Sequence, residues 1–429
     1  YTFYLAKGVK WHDGQPFTAA DVKVSLERIQ KPPKGAVAVW DLYLERVKEF
    51  RVVDDYTIKL IMDKPDNFVV PHPGVSFLAI YPKHVLEKQG DMKKVAMGTG
   101  PYKFQEHLKG VSLSTVRNPD YFVKGRPYLD GITTFIIPDS ASQFSALRTG
   151  RIDFFPAYPE LMLTERETLA REKSPIIIQT RRGLSFRSSM FNVKRKPWDD
   201  PRMRRAVSLA SDRMGMMKVA EQGDGALGGA LPPGPWSIPD EELKQMPGYR
   251  YPKDADVAEA KKLMAEAGFP DGLDVTFVTR NEVVYVNNAI ALQNEVRKLG
   301  IRAKVQPLER AASYTAQQTG NFDVYSGSSA IRLDDPSELG LQYVTGAGKN
   351  YGFYSNPKVD SLFDQLLISI DPAKQRAAAV DIQRILLEDN PQIIHYWKNY
   401  SVSFWPYMKN YKIGDMYNHN RMRDVWLDK

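Results

Sequence analysis

The 429-residue sequence contains no cysteine. That excludes disulfide bridges, thiolate metal sites and a cysteine nucleophile. Histidine is also scarce, with six in the chain (His12, His72, His84, His107, His395 and His419). None of them pairs at i, i+3 or i+4, and no HExxH occurs, so the usual sequence marks of a zinc site are missing. No apolar run reaches the ~18 residues of a membrane-spanning helix. No GxSxG nucleophile elbow is present. The start of the chain shows no basic, then apolar, then small-residue order of a secretory signal. Acidic pairs such as Asp54-Asp55, Asp199-Asp200 and Asp334-Asp335 do occur, but adjacent carboxylates point apart and suit turns and caps better than paired acid-base chemistry.

What is present reads as an ordinary globular chain, with 43% apolar and 26% charged residues. Its length exceeds the roughly 250 to 300 residues at which one core stops growing, so two lobes are expected. The formal charge of +8 comes from 59 basic against 51 acidic residues. Its local peaks are short, at Arg181-Arg182, Lys194-Arg195-Lys196 and Arg202 to Arg205, and no nucleic-acid-binding module accompanies them. The basic excess therefore predicts a solvated surface with some attraction for anions, and no nucleic-acid partner.

Strand-like and helix-like runs alternate along the chain, which predicts an α/β fold. Strands are expected at 57–61, 111–116, 132–137, 274–279 and 301–306. Helices are expected after Asp200-Pro201 and Asp371-Pro372, and from Asp254 to a stop at Gly268 and Pro270. The order from Asp254 to Gln306 fits a crossover unit of a mostly parallel sheet. The stretch 223–239 is rich in Gly and Pro and is expected to be a loop. Its formal GxGxxG match, at Gly223, Gly225 and Gly228, lacks the strand before it and the helix after it that a dinucleotide site requires.

The most specific stretch is YTFYLAKGVKWHDGQPFTAADVKVSLERI, residues 1 to 29. Tyr1, Phe3 and Leu5 share one strand face, and Asp13-Gly14 supplies a turn, with His12 beside it. Thr18 caps the next helix with Asp21 three residues on, and Val22, Leu26 and Ile29 line its apolar face. This string resembles the opening signature of the extracytoplasmic solute-binding proteins of peptide and nickel ABC importers, family 5. Similar landmarks follow in order: GTGPYKF at 98–104, RNPDYF at 117–122, GRPYLDGI at 125–132, ALRTGRIDF at 146–154, FNVKRKPWDDPRMRRAVSLASDR at 191–213, AKKLMAEAGF at 260–269 and YSNPKVDSLFDQ at 354–365.

The resemblance implies a type II periplasmic-binding-protein fold, with solute closed between two lobes and no catalysis. It implies lobe 1 at 1–183, lobe 2 at 184–397 and a return to lobe 1 at 398–429, with crossings near 183–190 and 396–400. The tail would pack on lobe 1 through Val425, Trp426 and Leu427. It also implies a first lobe 1 segment ahead of Tyr1, a periplasmic or extracytoplasmic location with or without a lipid anchor, an ABC permease as partner, a monomer, and no cofactor.

For the solute, the run GNFDVYSGSSAIRLDDPSEL at 320–339 resembles the place where peptide binders keep an aromatic and then an Asp that pairs with the peptide ammonium. Ser329 stands at the aromatic position and Arg332 at the Asp position. An arginine cannot accept from an ammonium, whereas its five-donor fork suits carboxylate, phosphate or sulfonate. Two readings are open: Arg332 faces an anionic or hydroxyl-rich solute, or it pairs with Asp334 or Asp335 and holds its loop. The crossings add Phe186, Arg187, Met190 and Asn192, then Tyr396 and Trp397, as ligand-facing residues or as plain core. Tyr351, Phe353 and Tyr354 are expected in lobe 2 packing or in one pocket wall. A sensory receptor of the same fold and an α/β hydrolase remain as alternative functions.

Overall fold

In the computed structural model the described residues are 1–34, 36, 39–157, 161–414 and 421–429. The chain divides into two compact units, Tyr1–Arg181 with Tyr400–Lys429, and Arg182–Asn399.

The first unit opens with an antiparallel sheet of β1 (Thr2–Tyr4), β2 (Val47–Asp54) and β3 (Thr57–Met62), in the order β1-β3-β2. The turn between β2 and β3 closes when Asp54 accepts from the Tyr56 N–H at 2.8 Å. The helix Ala19–Gln30 begins as its sequence dictates: the Thr18 N–H donates to Asp21 Oδ2 at 2.8 Å. The other carboxylate oxygen of Asp21 accepts from the Lys83 N–H at 2.8 Å. The Asp13 turn holds the Gln15 N–H, and its second oxygen lies 2.7 Å from His84 Nε2. His12 joins two of the sequence landmarks. Its N–H donates to the Gly98 carbonyl at 2.9 Å, and its ring Nε2 lies 3.1 Å from the Gly100 carbonyl.

A second antiparallel sheet runs β4 (Tyr102–Leu108), β5 (Ser112–Arg117) and β6 (Gly131–Phe135). Then come β7 (Phe154–Phe155) and the long β8 (Ile177–Phe191), which carries the chain into the second unit.

The second unit holds β9 (Gly225–Ala226), β10 (Asp274–Arg280), β11 (Arg302–Leu308) and β12 (Val324–Ala330). β13 (Gln392–Phe404) returns the chain to the first unit, which ends in the pair β14 (Met408–Lys409) and β15 (Trp426–Leu427). The sheet order is β11-β10-β12-β8-β13-β7, with β9 also on β13. β10 is parallel to β11 and β12, and the helix Val283–Val296 supplies the crossover between β10 and β11. β8 is antiparallel to β12, with Ser185 opposite Ala330 and Arg187 opposite Ser328. Period-2 alternation sends Phe191, Phe277 and Val324 into the main core with Trp198, Leu209, Leu292 and Tyr396. Asp200 and Asp371 cap the helices that start at Pro201 and Pro372, accepting from the Arg202 and Ala373 N–H groups.

Two expectations change. Of the three tail residues expected to pack on the first unit, Val425 alone joins its core, with Met422, Tyr400, Val402 and Phe404. Trp426 and Leu427 are 40% and 37% exposed, because the two-stranded pairing with β14 leaves them at the surface; residues 417–420 of the tail, and His419 with them, lie outside the described residues. The stretch 223–239, expected as a loop throughout, contributes β9 to the sheet. Gly225 and Gly228 have a packing reason: an added Cβ at Gly225 would lie 2.6 Å from the Trp397 carbonyl oxygen, and one at Gly228 2.6 Å from the Trp397 ring.

Candidate functional site

In open α/β sheets the carboxyl ends of parallel strands, where the loops are free of the ladder, are the usual place for a ligand. In the second unit this edge is formed by Arg280 at the end of β10, Leu308 at the end of β11 and Ala330-Ile331-Arg332 at the end of β12. Three charged groups stand on or beside it, and each sets two cations against one carboxylate.

In the first, Arg187 of β8 donates from Nε and Nη2 to Glu221 Oε1 at 2.9 and 2.6 Å. Lys398 of β13 lies 3.6 Å from Glu221 Oε2. The group is almost sealed, with Arg187 only 5% and Glu221 11% exposed in their side chains. Burial would pull the Arg187 guanidinium down, but Glu221 outweighs it and holds the charge. The sequence predicted a fixed positive charge at Arg187; the structure matches that charge with Glu221.

In the second, Arg280 Nε and Arg310 Nη2 both lie 3.0 Å from Glu282 Oε1. Arg280 also donates to the Tyr314 hydroxyl at 2.9 Å. The Tyr285 ring lies between the first two groups, 4.3 Å from the Arg280 guanidinium and 5.3 Å from that of Arg187. A ring flanked by two guanidinium groups holds both by cation–π attraction.

The third group contains Arg332, Lys349 and Glu338. Arg332 Nη1 donates to the Ala330 carbonyl at 3.1 Å. The neighbouring Leu333 N–H donates to Glu338 Oε1 at 3.1 Å, and Glu338 is 1% exposed. The Lys349 N–H donates to the Leu341 carbonyl, one helical turn on from Glu338 in the helix Glu338–Tyr343. In the Arg332 loop, Asp335 accepts from the Ser337 N–H at 2.9 Å, and Asp334 is exposed.

The remaining sequence candidates divide by burial. Ser329 is partly exposed, opposite Phe186, and its carbonyl accepts from the Ser185 hydroxyl at 3.3 Å. Ser185 also meets the Ser328 hydroxyl at 3.2 Å, so hydroxyls line the end of β12. Phe186, Tyr396 and Trp397 are all fully buried. Phe186 packs on Trp397 with centroids 4.6 Å apart, and Trp397 Nε1 donates to the Gly229 carbonyl at 3.0 Å. Met190 packs with Val278, Phe322 and Tyr325, and Tyr351 lies against that cluster. Asn192 donates to the Gly320 carbonyl at 2.8 Å and accepts from the Lys194 N–H. Tyr354 is buried and donates its hydroxyl to Asp389.

Glu221, Arg280, Glu282, Glu338, Lys349 and Lys398 were not singled out from sequence. Arg280 alone carried a signal, standing directly after the strand expected at 274–279. The fully buried Ser189 and His395 meet at 3.0 Å, but the ring's Nδ1 has no hydrogen-bond partner, so the pair has no acid to orient it and no route to solvent. Among the described residues no cluster of three potential metal ligands occurs, and no helix is long and apolar enough to cross a membrane.

The sequence is 28% identical to the oligopeptide-binding protein AppA of Bacillus subtilis (strain 168), over 100% of this chain and 81% of that protein. It is 27% identical to the glutathione-binding protein GsiB of Escherichia coli (strain K12), over 92% of this chain and 76% of that protein. Among solved structures, the periplasmic binding protein DppA of Helicobacter pylori in complex with the peptide STSA superposes with a TM-score of 0.87 at 25% identity, over 100% of this chain and 86% of that one. The match confirms the two-lobed binding-protein fold. The model of the bacterial extracellular solute-binding proteins, family 5, matches residues 1–351, and the chain belongs to that family.

Proposed function

We propose that the chain is the extracytoplasmic receptor of an ABC importer, acting as a monomer, and that its solute is peptide-sized and carries an acidic group held at Arg332. The observation that carries the acidic group is the repeated composition of the carboxyl edge: Arg187 and Lys398 about Glu221, Arg280 and Arg310 about Glu282, Arg332 and Lys349 about Glu338. In the first two groups two cations meet one carboxylate, and Asp334 and the Ser337-bound Asp335 lie in the Arg332 loop. Such an edge raises the local concentration of anions and repels an ammonium. Ser185, Ser328 and Ser329 add hydroxyls beside it. Relatives named for oligopeptides and for glutathione, itself a small acidic peptide, fit a peptide-sized solute. Binding energy would then shift an open and closed equilibrium without chemical turnover.

Calorimetry with glutathione, acidic tetrapeptides and uncharged tetrapeptides tests the reading. Acidic peptides should bind more tightly than uncharged ones. Arg332→Ala should weaken the acidic set by about 10- to 100-fold, since a hydrogen bond to a charged group contributes ~1.5–3 kcal/mol. Uncharged peptides that bind as tightly, with no effect of Arg332→Ala, would overturn it.

A further inference from the structure

Two strands, β8 and β13, carry the chain between the units, and they lie side by side in the sheet. Their hold on the second unit can be followed residue by residue. On β8 the ladder with β12 runs to Ser185, opposite Ala330, and its last bond among the described residues goes from the Ile331 N–H to the Leu184 carbonyl. Arg182 and Gly183 alone lie between that bond and the first unit. On β13, Trp397 and Lys398 pair with Ala226 and Gly225 of β9, and Asn399, the last residue of the unit, donates to Asp224 at 3.0 Å. Glu221 ties the two strands to one point. It ends the helix Arg213–Glu221, accepts both Arg187 bonds on one carboxylate oxygen and has Lys398 3.6 Å from the other. The Arg187, Glu221 and Lys398 side chains are 5%, 11% and 15% exposed, so solvent and salt screen these contacts little.

We propose that Glu221 is a positioning residue for movement between the units: by fixing a cation of each crossing strand to one helix end, it confines bending to Arg182-Gly183 of β8 and to β13 from Tyr400 onward. A hinge motion is absorbed by the few residues that such attachments leave free. The crossings implied near 183–190 and 396–400 are thereby narrowed, since β12 holds 184–190 and β9, Glu221 and Asp224 hold 397–399. β9 has two residues, and a pairing that short holds little by itself. The side-chain ties are therefore what keeps β13 on the second unit up to its last residue. With Glu221 unable to pair, β13 should flex from nearer Trp397, and the two units should sample a wider range of separations. The inference does not depend on which solute binds, and its test needs none.

The absence of cysteine allows two labels to be placed without background. Lys93→Cys in the first unit and Lys262→Cys in the second, at side chains 85% and 77% exposed, accept nitroxides. Double electron–electron resonance then reads the distribution of distances between them in the ligand-free protein. Glu221→Gln removes the charge that both cations share, while Lys398→Gln with Asn399→Ala loosens β13 alone and leaves the Arg187–Glu221 pair in place. Both should broaden the distribution. Arg302→Gln, which breaks an exposed pair with Asp274 at the far edge of the sheet, should leave it as in the parent. A purely structural Glu221 would lower the urea midpoint without changing the distribution of the folded protein. Hydrogen exchange gives the location: in Glu221→Gln the amides of 397–399 should exchange about 10- to 100-fold faster, the effect of one charge-assisted hydrogen bond on local opening. Those of β10 and β11 should be unchanged. Distributions in both clamp variants that match the parent's, or equal broadening by Arg302→Gln, would overturn the proposal. If Glu221→Gln does not fold, the Lys398 and Asn399 variant decides by itself.

Discussion

Gly228 shows how a residue can be conspicuous in a sequence for a reason the sequence does not display. With Gly223 and Gly225 it forms a nucleotide-like pattern, yet its local context excludes that use. The structure supplies a different cause: a Cβ at Gly228 would stand 2.6 Å from Trp397 Cδ1 and 2.9 Å from Pro233 Cδ. The ring cannot retreat easily, because Trp397 is fully buried and its Nε1 is bonded to the Gly229 carbonyl. Overpacking of this kind costs about 1–3 kcal/mol. Gly228→Ala should therefore lower the urea midpoint of the second unit, and a midpoint equal to that of the parent would mean the Trp397 contact is slack. Trp397 lies 169 residues further along the chain. No local pattern could have announced that contact. Arg332 is the contrasting case, since its departure from the peptide-binding pattern was readable from position alone, while its neighbours Glu338 and Lys349 appear only once the loop is folded.

At the level of elements, β8 and β13 are the two strands that pass from one unit to the other, and Glu221 at the end of the helix Arg213–Glu221 binds a cation from each. Asn399 extends the attachment by donating to Asp224 at 3.0 Å, and β9 pairs with Trp397 and Lys398. Crossings near 183–190 and 396–400 were implied by the family landmarks. The attachment was not, because Arg187 and Glu221 are 34 positions apart and belong to different elements. Removing one member of a buried pair leaves an uncompensated charge and costs roughly 3–5 kcal/mol, whereas replacing both by apolar groups can be nearly neutral. Glu221→Met, which strands both Arg187 and Lys398, should thus be the more destabilising single change, and Arg187→Met, which leaves Glu221 with Lys398, the milder one. Adding Arg187→Met to Glu221→Met should recover part of the loss. A double-mutant cycle in urea measures the coupling. Additive single effects would show that the bonds to Glu221 do not hold β8.

Over the whole molecule, the order of strands and helices was legible because its signals are local: apolar period, Asp-Pro helix starts and glycine stops. Pairing between distant strands, and the charged groups it assembles, depends on contacts across hundreds of residues. A pH response built into both units belongs to this second kind. His72 in the first unit is buried with Nδ1 against the Tyr43 carbonyl at 3.2 Å, and burial pushes its imidazole down to about 4. In the second unit burial, aided by Arg213, pushes His395 down to about 3. Both groups stay neutral in the folded state while their unfolded counterparts protonate near pH 6.5. The unfolded chain therefore binds more protons below pH 6.5. Stability should fall with acidification from there to about pH 4 for His72 and about pH 3 for His395, by up to ~1.4 kcal/mol per pH unit from each. His72→Gln should flatten the acid limb of the first unit, and His395→Gln that of the second, when unfolding is followed with a reporter in each unit. If each substitution leaves its own unit as acid-sensitive as before, the buried imidazoles are not the groups that set the limit.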